Sequence, residues 1–303
     1  MPKKPSSGAA ESNAGDDFHV LWAVKRSFEL LNFEENGLKA IVVEDVEFKD
    51  NLKVDPEGNQ LLGVDITEYY GGENFADAEK VIVSQLKHST RGVKENWNFS
   101  NLYKGKKSGS KNGSLIHRLA QIYYAFLENF GRDLVLEKLS LKLVSNRNFS
   151  PKQKETIENI QKFLSDKESK TYLTSVNKKF PNNKPQLEKL QKATKLKSLA
   201  FVDFLRLLDF EDCGTDSSYY QEIEIVNALR ELGFQSKTQF KSLYLMVWKK
   251  MLPTAKEELT NKITEIDFLQ CLQTSLERLF PVKNSFEEII NLIEREQIPA
   301  LTD

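Results

Sequence analysis

The chain predicts an α+β protein, with a mixed central sheet flanked by helices followed by an all-helical unit. Three observations predict it. Segments with period-2, β-branched character are confined to residues 39–144, whereas 3.6-residue spacing dominates everything after Ser150. The order helix, three strands, helix, strand and then only helices is that of a small mixed unit with a helical extension. Finally, 303 residues that are 40% hydrophobic and 29% charged can build a core without disulfides or structural zinc.

Taken in order, residues 1–14 read as a disordered tail, because a Pro/Lys/Ser/Gly/Ala-rich run has nothing to bury. From Asp16 to Leu31 the apolar positions Phe18, Leu21, Trp22, Phe28 and Leu31 recur at helical spacing, with Asp16 and Asp17 as cap and first-turn acid. Lys39–Phe48 is β-branched and reads as a first strand. Asp55-Pro56-Glu57-Gly58-Asn59 supplies turn chemistry before a second strand over Leu61–Tyr70, and Lys80–His88 is the third. A Gly/Ser-rich loop over Lys104–Ser114 precedes a helix over Leu115–Phe130 that Gly131 stops, and Leu139–Val144 alternates as a fourth strand. Helical patterns then cover roughly 151–165, 186–208, 219–232, 238–252, 264–279 and 286–296. The domain boundary therefore falls near 150, with a mixed unit over 15–150 and a helical unit over 151–303 serving oligomerisation, regulation or partner binding.

The formal charge of -1 hides strong local fields. Residues 11–79 carry 5 basic and 17 acidic side chains, whereas residues 80–118 carry 9 basic and one acidic. The cations beside the Gly/Ser-rich loop, with Trp97, Phe99 and Tyr103 nearby, suit a phosphate backbone: His88, Arg91, Lys94, Lys104, Lys106, Lys107 and Lys111 are the candidate nucleic-acid contacts. No apolar run is long enough to span a membrane, and two isolated cysteines (Cys213 and Cys271) exclude a disulfide scaffold and a Cys-rich zinc site. A reducing cytoplasm is the expected location. His19, His88 and His117 are too scattered for a zinc pair, Gly105-Lys106-Lys107-Ser108-Gly109 lacks the spacing of a Walker A loop, and no GxSxG elbow is present.

Alternation along the three central strands converges one set of polar side chains. Asp65 shares a face with Thr67 and Tyr69, Gln85 and Lys87 share a face with Val83, and Glu44 is an acid on an otherwise apolar face, costly unless something satisfies it. Glu44, Asp65 and the Gln85 side-chain carbonyl could offer hard oxygen ligands to Mg²⁺ or Mn²⁺, with Lys87 as a compact positive charge beside them. Such a set supports metal-assisted phosphodiester hydrolysis.

An acid on one strand followed by Gln-x-Lys on the next, behind a leading helix, resembles the PD-(D/E)xK restriction-endonuclease-like superfamily. More narrowly, Ala14-Gly15-Asp16-Asp17-Phe18-His19-Val20-Leu21-Trp22-Ala23, Gly63-Val64-Asp65-Ile66-Thr67-Glu68-Tyr69-Tyr70, Gln85-Leu86-Lys87-His88-Ser89-Thr90 and Ser145-Asn146-Arg147 resemble nuclease domains of bacterial antiphage effectors, including nucleotide-signalled effectors and STAND NTPase sensors. The resemblance covers about residues 12–150, and Ile263–Leu269 is similar to a segment preceding the ATPase in fused relatives. It implies a restriction-endonuclease-like sheet, Asp65 as the catalytic acid, and Gln85 and Lys87 as the motif pair. Val64 replaces the Pro and Gln85 the acid of the motif, as in the Mrr-like branch, so a negative ligand must come from elsewhere. His19 stands where that branch uses a helix acid; Glu44 is the preferred substitute and Glu29, on the same helix, the second.

The expectation is thus a Mg²⁺- or Mn²⁺-dependent DNA endonuclease of an antiphage system, bound mainly to the backbone of double-stranded DNA. A homo-oligomer and an NTPase or sensor partner accompany it. The competing reading is a non-catalytic nucleic-acid-binding or assembly subunit with an incomplete metal site.

Overall fold

The computed structural model describes residues 8–32, 34, 36–52, 64–90, 92–104, 113–165, 170–234 and 236–279. The elements are α1 (Gly8–Ser27), β1 (Leu38–Val43), β2 (Ile66–Tyr70), β3 (Lys80–Lys87), α2 (Phe99–Tyr103), α3 (Leu115–Phe130), α4 (Arg132–Lys138), β4 (Leu139–Ser145), α5 (Pro151–Phe163), α6 (Leu173–Lys179), α7 (Lys184–Thr194), α8 (Ser198–Leu207), β5 (Leu208–Asp209), α9 (Ser218–Glu231), α10 (Ser236–Lys250), α11 (Pro253–Glu257), β6 (Lys262–Thr264) and α12 (Glu265–Leu279). The six strands form one mixed sheet in the order β5-β4-β3-β2-β1-β6. The β6/β1, β1/β2 and β2/β3 pairs are antiparallel; β3/β4 and β4/β5 are parallel. The β3-to-β4 crossover runs through α2, α3 and α4, as a parallel pair demands.

The protein is therefore α+β, with helices on both faces of the sheet. One face presents Val42, Tyr69, Val83 and Leu141 to Ile116, Leu119 and Phe126 of α3 and to Phe201 and Phe204 of α8. The other presents Ile41, Ile66, Leu86 and Val144 to Phe18, Leu21 and Trp22 of α1, Leu229 of α9, Leu243 of α10 and Phe268 of α12. Each central strand is thus apolar on both faces, which is why β3 buries six consecutive residues from Val81 to Leu86.

Several expectations change. The leading helix begins at Gly8, because Ala9, Ala10 and Glu11 are good helix formers; residues 8–14 are no tail, and Asp16 and Asp17 stand inside the helix rather than capping it. The part of the expected tail over 1–7 lies outside the described residues. β1 stops at Val43, well short of Phe48. The single helix expected over 186–208 is two, α7 and α8, broken at Lys195, whose φ of 62° is left-handed. The boundary near 150 does not separate two cores: β5 and β6, both after it, form the two edges of the sheet, and α8, α9, α10 and α12 complete the layers on its faces. These two strands, of two and three residues, are too short to leave a period-2 signature. The apolar pattern over 286–296 lies outside the described residues. No helix among the described residues is long and apolar enough to cross a membrane.

Candidate metal centre

The site lies where β1 ends, β2 begins and β3 ends. Val43 pairs with Ile66 and Ile66 with Ser84, so carrying the register one residue further puts Glu44, Asp65 and Gln85 in one row across three strands. The Glu44 N–H donates to the Asp65 carbonyl at 2.8 Å, and the Asp65 N–H to that of Ser84 at 3.1 Å.

The Asp65 carboxylate is held at one oxygen. Oδ2 accepts the Leu86 backbone N–H at 2.5 Å and lies 3.4 Å from Lys87 Nζ, while that ammonium also donates to the Leu86 carbonyl at 2.5 Å. The carboxylate therefore takes the place of a strand carbonyl at the end of the β2/β3 ladder, and the lysine is folded back over it rather than extended into solvent.

Glu44 is not a strand residue. Its φ of 59° lies in the left-handed region, where a side chain other than glycine costs about 1–2 kcal/mol. That turn brings Glu44 Oε1 to 3.5 Å from Nδ1 of His19, which α1 carries up from the other layer. His19, Glu44 and Asp65 each offer a ligand atom, all within 4.8 Å of one another. Burial works against an imidazolium at His19, but the contact with Glu44 and the negative charge of Asp65 outweigh it and raise its pKa above the ordinary 6.5.

Gln85 faces Asp65 across the ladder and is fully buried; neither its amide oxygen nor its nitrogen has a hydrogen-bond partner among the described residues. A buried, unpaired primary amide is costly and calls for a ligand.

Of the candidate residues, Asp65, Glu44 and Lys87 come together, and Gln85 adjoins them. Glu29 does not: it pairs with Arg26 at 3.2 Å, and Arg26 in turn binds Glu68 and Tyr70 on the α1 side of the sheet. His88 packs its ring 5.2 Å from that of Phe18, and burial together with the nearby His19 charge lowers its pKa. Lys94 and Lys104 are exposed. Arg91, Lys106, Lys107 and Lys111 lie outside the described residues. The aromatics beside the basic loop are packing groups rather than a stacking platform: Phe99 is in the core, and the Trp97 indole N–H donates to Ser145 Oγ.

Ser145-Asn146-Arg147 fastens the segment after Lys87. Ser145 Oγ donates to the Lys87 carbonyl at 2.7 Å, and Asn146 pairs with both the N–H and the carbonyl of Ser89 at 2.9 Å. Arg147 donates to the Glu95 carbonyl and lies 5.2 Å over the Trp97 ring.

Two residues of the site were not legible as such. Sequence spacing groups His19 with the other scattered histidines, yet it is the third member of the cluster; its one signal is the comparable position of a helix acid in the Mrr-like branch. Arg118, in the first turn of α3, is half-buried and interacts electrostatically with Asp65. Compared with known proteins, the chain matches no family model and no curated sequence.

Proposed function

We propose that the protein is a divalent-metal-dependent phosphodiesterase acting on DNA, an endonuclease of the PD-(D/E)xK type. One observation carries the reading: ligand atoms of His19, Glu44 and Asp65 lie within 4.8 Å of one another, with the Lys87 ammonium 3.4 Å from Asp65. Two carboxylates and an imidazole fit a small divalent cation. The nitrogen shifts the preference from Mg²⁺, which takes oxygen ligands, toward Mn²⁺, which accepts both. His19, Glu44 and Asp65 would hold the ion, with the Gln85 amide oxygen available beside Asp65. When bound, such an ion polarises a phosphodiester and acidifies water.

The chain's own groups do the rest. Lys87, held by the Leu86 carbonyl and Asp65, presents a fixed positive charge where a phosphate would gain negative charge in the transition state. Ser145 anchors the Lys87 backbone, so that charge is preorganised. Asp65 is bound at Oδ2 by the Leu86 N–H, which fixes the carboxylate's orientation.

The test is plasmid cleavage with Mn²⁺ or Mg²⁺, in parallel with calorimetric Mn²⁺ titration. Wild type should bind Mn²⁺ and nick or linearise the plasmid; Asp65→Ala should lose both, and Lys87→Ala should lose cleavage while retaining the metal. Cleavage that survives in both variants removes this site, and wild type that takes up no Mn²⁺ removes the metal reading.

A further inference from the structure

The site holds one more cation than its ion-binding role requires. Arg118 is the fourth residue of α3, the helix whose Ile116 and Leu119 join Val83 and Leu143 in one core. Val83 precedes Gln85 by one pleat, and Leu143 is Gln85's partner on β4, so α3 covers the sheet face on which alternation places Asp65 and Gln85. Arginine is almost never taken out of water unless paired. Arg118 is half-buried, yet its buried Nε makes no hydrogen bond and no carboxylate pairs with it among the described residues. The Gln85 amide, fully buried on that side, is equally unpartnered. Of these two, the half-buried Arg118 is the one whose donors an acceptor from outside can reach.

We infer that Arg118 binds a backbone phosphate of duplex DNA at this site, approaching from the α3 side while Lys87 approaches from β3. The inference rests on the nucleic-acid reading above and deepens it. Lys87 is already engaged by Asp65 and the Leu86 carbonyl, so it offers a point charge; the Arg118 guanidinium can grip two phosphate oxygens at once. No salt bridge engages Arg118 among the described residues, and the Asp65 charge it feels is already shared with Lys87 and the Leu86 N–H.

The experiment measures fluorescence anisotropy of a short labelled DNA duplex in EDTA, over a range of salt, for wild type, Arg118→Ala and Arg118→Lys. The loss of one charged hydrogen-bonding contact should weaken Arg118→Ala by about 10- to 100-fold. It should also flatten the slope of log affinity against log salt by about one. Arg118→Lys should recover the slope but only part of the affinity. The melting temperature of both variants should stay within about 2 °C of wild type, since no internal pair is broken. Unchanged affinity and slope in Arg118→Ala overturn the inference, as does wild type without duplex affinity. A large drop in melting temperature in both variants assigns Arg118 to structure instead. Because EDTA removes the metal, wild type that binds DNA through Arg118 but never cleaves it with Mn²⁺ sinks the hydrolytic reading alone.

Discussion

Replacing Glu44 by glycine separates what the residue does for the fold from what it does for the site. Its φ of 59° costs about 1–2 kcal/mol for any side chain but glycine, and glycine gives back about 0.4–1 kcal/mol through a freer unfolded chain. One of its oxygens stands within 4.8 Å of one Asp65 oxygen, a repulsion of about 1 kcal/mol with full water screening and about 3.5 kcal/mol at an effective dielectric of 20. Since the Glu44 side chain is 37% exposed, the lower figure is the closer. Where His19 is protonated, its 3.5 Å contact returns a similar amount, so at such a pH the electrostatic contributions nearly cancel. Glu44→Gly should accordingly be neutral to about 1 kcal/mol more stable than wild type, and Glu44→Ala, which keeps the left-handed strain, about 1 kcal/mol less stable than Glu44→Gly. Urea denaturation with and without Mn²⁺ reads both effects. A metal present at a hundred times its dissociation constant stabilises wild type by about 2.7 kcal/mol, and both variants should lose most of that increment. The reasoning is refuted if Glu44→Gly proves less stable than Glu44→Ala, or if both variants keep the full Mn²⁺ increment.

Other outcomes follow from the same physical terms. Asp50 is buried beneath Tyr69, and desolvation raises its carboxyl pKa to about 6 from 3.8 despite the hydrogen bonds from Tyr69 and the Phe75 N–H. A raised folded pKa makes the contribution fully present below pH 4 and lost as pH climbs through 6. The stability of Asp50→Asn relative to wild type should therefore improve by about 2 kcal/mol between pH 4 and pH 6.5, and parallel chemical-denaturation profiles would exclude this. Asp203, almost fully buried, accepts Arg132 Nε at 2.7 Å and Nη2 at 2.9 Å, with Arg206 Nε at 3.5 Å. Asp203→Ala removes the carboxylate that two guanidiniums share, and equilibrium unfolding should show a loss of about 3–5 kcal/mol; a loss below 1 kcal/mol would mean that water compensates the cations.

What could be read in the sequence depended on how local its cause was. β3 and α3 follow from continuous burial and 3.6-residue spacing, and the meeting of Asp65 with Gln85 follows from two-residue alternation on adjacent strands. Glu44 was legible as a misplaced acid but not as a left-handed turn, because nothing in Val43-Glu44-Asp45 demands a positive φ; tertiary contacts impose it. His19 reaches the cluster only because α1 packs on the sheet face that carries Ile66 and Leu86, a pairing across dozens of residues that no local pattern encodes. The same holds for β6, three residues whose strand character comes from the β1 edge they cover.

That edge has a temporal side. Val43, the last strand residue before Glu44, is held by the Asn261 carbonyl at 3.1 Å and by the Asn261 side-chain amide at 2.9 Å. The turn that aims Glu44 is thus braced by residues that leave the ribosome some two hundred positions after it. A nascent chain can pair β1 with β2 early, but it cannot lock that turn until Asn261 has emerged. Whatever the cluster of His19, Glu44 and Asp65 binds, its geometry is thus completed only late in synthesis.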